Sequence, residues 1–299
     1  MPTPALPADM VSRAARAVAH YGSDAARYRA SGDWRGQTIV TAFRETVARR
    51  PDALALASIE GELSYAELDR RSDAIAMGLI ETGLEPGAPI IFQLGNELES
   101  VVAWYAALKA GLVPVCSIPN HRLHEVQLIA QATGARAHVF QADYRGYDLA
   151  GTSEALGASC PQVGVRIVTR GSASKGAISL SDLEQDHDPA HARARVDAIQ
   201  GSLAPDSVAV YQLSGGTTGV PKVIPHTHET YLSAATRWAA NLGWGEEAVN
   251  LHFLPIMHHA GLGTALLPTH VVGGALVLGR AVDGKLLVDL IERHRVTWM

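Results

Sequence analysis

The sequence predicts an α/β fold in which layers of parallel β-sheet are covered by helices. Two observations lead to this fold class. Apolar runs of strand length alternate with segments of helical periodicity, and Gly or Pro marks the breaks between them. Such alternation is typical of parallel strands that are joined by right-handed helical crossovers.

The first clear units lie in the first half of the chain. "YAELDRRSDAIAMGLIETG" predicts a helix with one apolar face that ends at Gly83, and "PIIFQL" predicts a buried strand. The pattern repeats as helix "ELESVVAWYAALKA", strand "LVPVC", helix "LHEVQLIAQAT" and strand "AHVF". Residues 141–205 are less regular: "VGVRIVT" predicts a strand, and the charged run "EQDHDPAHARAR" predicts a solvated surface loop.

Regular alternation returns in the second half. Strand "SVAVYQL", a glycine-rich loop, helix "ETYLSAATRWAANLG", strand "VNLHFL", a helix after Pro255, strand "ALVLG" and helix "LLVDLIERH" follow one another. The last residues, "VTWM", have the pattern of another buried strand. We therefore expect the sequence to be incomplete at its carboxyl end.

Composition excludes several classes of protein. With 47% hydrophobic and 18% charged residues in 299, the composition is that of a soluble globular protein. The net charge of −5 gives no sign of the basic surface that nucleic-acid binding requires. Cys116 and Cys160 lack metal-ligand spacing and suit a reducing cytosol. Residues 248–279 contain no Asp, Glu, Lys or Arg and are long enough to cross a membrane. Pro255 and Pro268 would interrupt a membrane-spanning helix, so this interpretation is disfavoured. We expect a cytoplasmic protein without a signal peptide, a membrane span or a nucleic-acid partner.

The stretch "LSGGTTGVPKVIPHTH" at 213–228 has the composition of an anion-binding loop. Backbone N–H groups and hydroxyls between a strand and a helix suit phosphate, and Lys222 adds a positive charge. The P-loop template fails, because no Ser or Thr follows the lysine. A polar connection with turn glycines is the alternative; a nucleotide polyphosphate site is favoured, with candidate residues Ser214, Gly215, Gly216, Thr217, Thr218, Gly219 and Lys222.

These residues resemble a known family. "YQLSGGTTGVPK" is similar to the phosphate-binding signature of adenylate-forming enzymes, and "LSYAEL" and "LKAGLVPV" occur before it in the expected order. Within that superfamily, "LSGGTTGVPKVIPHTHETY" and "YRASGDWRG" most resemble the ligases that form 2,3-dihydroxybenzoyl-AMP or salicyl-AMP. The resemblance implies ATP and Mg²⁺ as cofactors, Thr218 as a ligand of the metal, and Lys222 as a residue that assists catalysis.

The resemblance also places an acid pocket at "LPIMHH". His258 matches a histidine beside the substrate carboxylate, and it is implied to assist catalysis; His259, Ala260 and Gly261 complete the substrate-binding set. His259 stands where the relatives have Asn, and Ala260 where they have an aromatic residue. These departures predict a wider pocket with a different donor, and they leave the acid open among aromatic and heteroaromatic acids. His226 replaces an Arg of the "IPRTH" version.

The histidines also admit a structural role or a metal-binding role. A buried structural histidine satisfied by backbone is the alternative for His258. A metal site is the alternative for the whole set, but no HExxH pattern or partner carboxylate lies nearby, so zinc is disfavoured. The set comprises His252, His258, His259 and His270.

The resemblance implies a domain plan and a reaction. Residues 1–35 are expected to form a helical extension, and 36–299 an incomplete N-terminal large domain without the small C-terminal domain. The resemblance implies that a carboxylic acid, expected to be an aryl acid, is activated to an acyl-adenylate with release of pyrophosphate. The acyl group is then expected to pass to a carrier-protein thiol or coenzyme A, in siderophore or other secondary-metabolite biosynthesis. An acyl-CoA ligase, an amino-acid adenylation domain, and a non-catalytic remnant that binds nucleotide or a partner are the alternatives. An exposed sheet edge also predicts self-association, such as a homodimer.

Overall fold

The computed structural model of the protein describes residues 22–171, 176–185, 187–214 and 222–299. The helices are α1 Gly22–Ala30, α2 Ile39–Arg49, α3 Tyr65–Glu81, α4 Leu98–Lys109, α5 Leu123–Thr133, α6 Leu149–Ser159, α7 Leu180–Glu184, α8 Pro189–Ser202, α9 His228–Leu242, α10 His259–Gly261, α11 Leu267–Val272 and α12 Gly284–His294; a π-helical turn, Leu262–Leu266, joins α10 to α11. The strands are β1 Leu54–Ser58, β2 Gly61–Ser64, β3 Pro89–Gln93, β4 Val113–Ser117, β5 Ala137–Gln141, β6 Val165–Arg170, β7 Ile178–Ser179, β8 Val208–Ser214, β9 Lys222–Thr227, β10 Val249–His252 and β11 Ala275–Leu278.

The strands form two sheets. The large sheet has the order β7-β6-β5-β3-β4-β8-β9, and the small sheet has the order β10-β11-β1-β2. All neighbours within them are parallel except the pairs β8–β9 and β1–β2. The predicted parallel α/β architecture is confirmed, whereas the division into two sheets and both antiparallel pairs were not anticipated.

Helix α4 lies between the two sheets. It contacts β1 of the small sheet and β6 of the large one, and of its residues only Glu99 is not buried. A helix that is apolar around nearly its whole circumference is expected in such a position. The largest core cluster accordingly joins residues of both sheets, including Leu56 of β1, Phe92 of β3 and Trp104 of α4.

Helix α3 begins where its sequence predicts. Ser64 accepts a hydrogen bond from the Glu67 N–H, and the Glu67 carboxylate accepts one from the Ser64 N–H, so the segment "LSYAEL" forms a capping box. This box ends β2 and starts the helix within a single turn.

The prediction of a solvated loop over "EQDHDPAHARAR" was wrong for most of that run. Helix α8 begins at Pro189, with Asp188 as its N-cap, and continues to Ser202. Its Arg193 forms ion pairs with Asp69 and Asp73 of α3, whose side chains are nearly buried. Charge density alone was misleading, because the partner carboxylates are more than a hundred residues away in the chain.

A buried ion network holds α3, α4 and α8 together. Lys109 at the end of α4 is fully buried, and its Nζ lies 2.5 Å from Asp69 Oδ1 and 2.7 Å from Asp73 Oδ1. Burial by itself would raise the pKa of Asp69, but Lys109 and Arg193 outweigh that effect and hold the pKa below its usual value. Within the part of the chain that the structure describes, no helix is long and apolar enough to cross a membrane.

Candidate active site

The candidate phosphate loop leaves the carboxyl end of β8 and returns along β9. Ser214, the last residue of β8, is the antiparallel partner of Lys222, the first residue of β9. Lys222 is exposed, and it forms no ion pair with any residue that the structure describes. The ends of the loop are thus fixed side by side, with a cation available to a ligand. The other predicted loop residues lie outside the described residues: Gly215, Gly216, Thr217, Thr218 and Gly219.

Strand β9 continues directly into helix α9. Thr227 caps the helix by accepting a hydrogen bond from the Thr230 N–H, and the Thr230 hydroxyl accepts one from the Thr227 N–H. This reciprocal cap satisfies two polar groups at the start of the helix. It also fixes the spacing between Lys222 on β9 and Tyr231 in the first turns of α9.

The histidine segment follows the carboxyl end of β10. His258 is exposed and is the N-cap of α10, since its Nδ1 accepts a hydrogen bond from the Ala260 N–H at 3.2 Å. A Cβ atom on Gly261 would lie 2.2 Å from the Ile256 carbonyl oxygen, so no other residue fits there without moving the backbone. Gly261 therefore has a packing role that is independent of any ligand, and the π-helical turn begins immediately after it.

Asn96 ties this segment to both sheets. Its Nδ2 donates hydrogen bonds to the carbonyl oxygens of Leu254 at 2.8 Å and Gly279 at 3.0 Å, and its Oδ1 accepts one from the Ile256 N–H at 2.8 Å. Asn96 follows β3 of the large sheet, whereas Leu254 and Gly279 follow β10 and β11 of the small sheet. The sequence did not single out this residue; its only signal was a polar "GN" pair shortly after a buried strand.

Three rings meet beside the histidine segment. The centroid of His226 lies 4.9 Å from that of Tyr231 and 5.5 Å from that of His259, and the two imidazole planes differ by 16°. The centroids of Tyr231 and His259 are 5.6 Å apart. Strand β9, helix α9 and helix α10 each supply one ring. The strand that begins at Lys222 therefore contacts the segment that carries His258 and His259.

Burial keeps these rings uncharged near neutral pH. Burial, assisted by the neighbouring His259, lowers the pKa of His226 to about 4. The pKa of His259 is also lowered, again chiefly by burial and then by His258. Buried Gln212 on β8 donates a 3.0 Å hydrogen bond to the Tyr231 hydroxyl, and burial raises the pKa of that phenol. The cluster is a neutral surface of hydrogen-bonding rings.

The other two histidines of the predicted set lie elsewhere in the packing. His270 is fully packed, with its ring nitrogens 2.8 Å from the Tyr105 hydroxyl and 3.0 Å from the Ala55 carbonyl oxygen, so it is structural. His252 is buried at the end of β10, and burial lowers its pKa to about 4. No group of three or more His, Cys, Asp or Glu among the described residues is placed to hold a metal ion.

Comparison with known proteins identifies the family of this arrangement. The AMP-binding enzyme family matches residues 43–299. Salicylyl-CoA synthase / salicylate adenylyltransferase from Streptomyces sp is 35% identical over 91% of this chain and 49% of its own length. The vibriobactin-specific 2,3-dihydroxybenzoate-AMP ligase of Vibrio cholerae is 30% identical over 91% of this chain and 49% of its own length.

A solved structure agrees in fold as well as in sequence. The apo structure of Mycobacterium smegmatis MbtA superposes with a TM-score of 0.82 at 31% identity, over 92% of this chain and 50% of that one. The chain spans about half the length of the curated relatives that it matches. Both the sequence match and the superposition cover most of the described residues, and the chain belongs to the family of AMP-binding enzymes.

Proposed function

We propose that the chain takes part in the ATP-dependent activation of an aryl carboxylic acid. In this reaction a carboxylate oxygen attacks the α-phosphorus of ATP, the bond between that phosphorus and the β-phosphate bridging oxygen breaks, and pyrophosphate leaves. The thiol of a carrier protein or of coenzyme A then attacks the acyl carbon of the adenylate, a thioester forms, and AMP leaves. The observation that supports the proposal best is the stacking of His226 on His259, whose ring centroids lie 5.5 Å apart. This stacking joins the strand after the phosphate loop to the histidine segment.

The described part of the loop fits a polyphosphate. Ser214 and Lys222 are paired across the two strands where the loop begins and ends. Lys222 forms no ion pair with a carboxylate of any described residue, so its charge is available to a phosphate. A lysine in that position neutralises charge on the leaving pyrophosphate, and backbone N–H groups of Gly215, Gly216 and Gly219 would add hydrogen-bond donors. Thr218 would hold Mg²⁺ at the phosphates, and the cation would neutralise charge on the leaving pyrophosphate, because Mg²⁺ is commonly held by substrate phosphates and few protein groups.

The acid would lie against the start of α10. We assign His258 to the carboxylate, since it is exposed and has a second ring nitrogen, Nε2, besides the Nδ1 that accepts a hydrogen bond from the Ala260 N–H. His259, Ala260 and Gly261 would form the adjoining wall. Ala260 would take up less of that wall than an aromatic residue, and the room so left is expected to suit the ring of an aryl acid. The relatives named for salicylate and 2,3-dihydroxybenzoate support the same class.

Acid-dependent exchange of labelled pyrophosphate into ATP tests the proposal. The folded 1–299 chain is assayed with aryl, heteroaryl, fatty and amino acids, and binding of each acid and of ATP is measured in parallel by isothermal titration calorimetry. We expect aryl or heteroaryl acids to bind and to support exchange. Exchange with fatty or amino acids alone would replace the aryl assignment by an acyl-CoA ligase or an amino-acid adenylation domain.

Binding and exchange separate catalysis from recognition. ATP and an aryl acid that bind without exchange would restrict this chain to recognition and exclude adenylation by residues 1–299 alone. A folded chain that binds neither would refute the proposal.

A further inference from the structure

The imidazole of His259 is held from two directions. On one side it stacks on His226, with a 16° angle between the ring planes. It also lies against the backbone of the π-helical turn, because a Cβ on Gly263 would be 2.6 Å from His259 Cε1 and 2.9 Å from Nδ1. A contact of 2.6 Å is far shorter than van der Waals distance, so this ring position requires glycine at 263. Packing, rather than hydrogen bonding, therefore sets the orientation of the ring.

The polar atoms of the His259 imidazole are left for a ligand. His226 and His259 are both partly exposed, and no described residue forms a hydrogen bond with either side chain. A neutral imidazole offers one N–H donor and one acceptor nitrogen. Because burial lowers the pKa of both rings, neither carries a positive charge near pH 7, and His259 offers its hydrogen bonds as a neutral imidazole. Such a surface matches an uncharged hydroxyl or amino group better than a second carboxylate.

We propose that His226 is a positioning residue of the acid pocket, which holds the His259 imidazole in the orientation that recognises an uncharged hydroxyl or amino substituent on an aryl acid. This inference rests on the function proposed above. His226 acts through His259 and does not touch the acid in this account. The stacked His226 ring orients the His259 imidazole. Another aromatic side chain at position 226 is therefore expected to preserve this orientation, and a small side chain is expected to lose it.

The position of the ring is measured first, without any acid. Imidazole ¹⁵N and ¹³C signals of His259 are recorded by NMR in wild type, His226→Ala, His226→Phe and Gly263→Ala, with the exposed His191→Ala as a matched control. We expect the His259 signals to shift in His226→Ala and in Gly263→Ala, and to return towards wild type in His226→Phe. Unchanged His259 signals in His226→Ala would overturn the proposal.

Acid selectivity is measured next by calorimetry with benzoate, salicylate, 2-aminobenzoate and phthalate. In wild type and His191→Ala, salicylate or 2-aminobenzoate should bind more tightly than benzoate and phthalate. His226→Ala and Gly263→Ala should reduce that preference about tenfold, the value of roughly one hydrogen bond, and should change benzoate affinity less than salicylate affinity. Gly263→Ala should displace the His259 ring while leaving His226 intact. It therefore distinguishes the effect of the His259 ring position from a direct effect of the side chain at 226.

The outcomes separate this inference from the proposed function. If wild type binds none of the four acids, the aryl-acid function is refuted and the inference falls with it. If wild type prefers the hydroxyl or amino acids and His226→Ala keeps the same preference, the inference alone is overturned. A His226→Phe variant that does not restore the preference would also overturn it, since stacking would not be what His226 contributes.

Discussion

Asn96 is expected to be the main polar anchor of the histidine segment. Replacing it by Ala removes three hydrogen bonds of 2.8 to 3.0 Å and leaves two carbonyl oxygens and one N–H group without their partner. Each such bond contributes about 1 kcal/mol net, so we expect Asn96→Ala to lower the free energy of unfolding by about 3 kcal/mol. The side chain is 8% exposed, so water replaces the lost partners poorly.

Urea unfolding followed by circular dichroism measures this loss. The matched control is Asn120→Ala, because Asn120 is exposed and donates a single 3.0 Å hydrogen bond to the Tyr147 hydroxyl. It should cost no more than about 0.5 kcal/mol. Asn96→Asp keeps the acceptor for the Ile256 N–H but turns a carboxylate towards two carbonyl oxygens, so it should destabilise at least as much as Ala at pH 7.

The same variant links packing to ligand binding. In the absence of urea, where Asn96→Ala is expected to remain folded, affinity for an aryl acid should fall while affinity for ATP falls less, because the side-chain hydrogen bonds of Asn96 to described residues reach the segment before His258 and Gly279, and none reaches β8 or β9. A loss of stability equal to that of Asn120→Ala would refute the reasoning. An equal loss of acid and ATP affinity would show that Asn96 supports the whole domain and not this segment.

Four further predictions concern other residues. Lys222→Ala should weaken ATP binding about tenfold with acid binding unchanged, as measured by calorimetry with the exposed Lys285→Ala as control. Equal ATP affinities of the two variants would contradict the assignment of the loop to phosphate. His258→Ala should weaken binding of the acid more than that of ATP, and equal losses would indicate a structural histidine. Lys109→Met removes the buried cation of the network and leaves Asp69 and Asp73 with only their ion pairs to Arg44 and Arg193, so it should cost about 3 kcal/mol in urea unfolding, whereas a cost below about 1 kcal/mol would contradict the network's role. Burial, with Glu99 nearby, raises the pKa of Glu97 to about 8, so the folded chain keeps a proton that the unfolded chain releases above its own pKa, and this contribution to stability is lost from about pH 5 to pH 8. Buried histidines act in the opposite direction over part of this range, so the test is the difference between two proteins: the stability of Glu97→Gln relative to wild type should rise from about pH 5 to pH 8 in urea unfolding, and a constant difference would contradict the raised pKa.

Local patterns in the sequence were sufficient for the alternation of strands and helices. A buried parallel strand such as Pro89–Gln93 is a continuous apolar run, and the crossover helices carry a 3.6-residue period, so both are legible within short windows. Caps are equally local: the Ser64–Glu67 capping box and the left-handed cap at Gly134 follow from residues a few positions apart. The family signature, too, is a contiguous run from Tyr211 to Lys222.

Long-range contacts leave no trace in such short windows. The run at 184–195 resembled a solvated loop because nothing nearby shows that Arg193 pairs with Asp69 and Asp73. The split into two sheets depends on which strands pair, and β1 pairs with β11 across more than two hundred residues. Pairing of this kind is decided by burial of the whole chain and leaves no local period.

The candidate site shows the same division. Its chemistry is present in the sequence, since a Gly- and Thr-rich loop with a lysine and a histidine-rich segment each suggest a ligand from residue types alone. Their arrangement depends on three-dimensional packing: Asn96 joins three strand ends by hydrogen bonds, and the His226 ring on β9 stacks on His259 of α10. Hydrogen bonds and ring stacking act over a few ångströms in space, so residues distant in the chain become partners only when the two sheets have packed around α4.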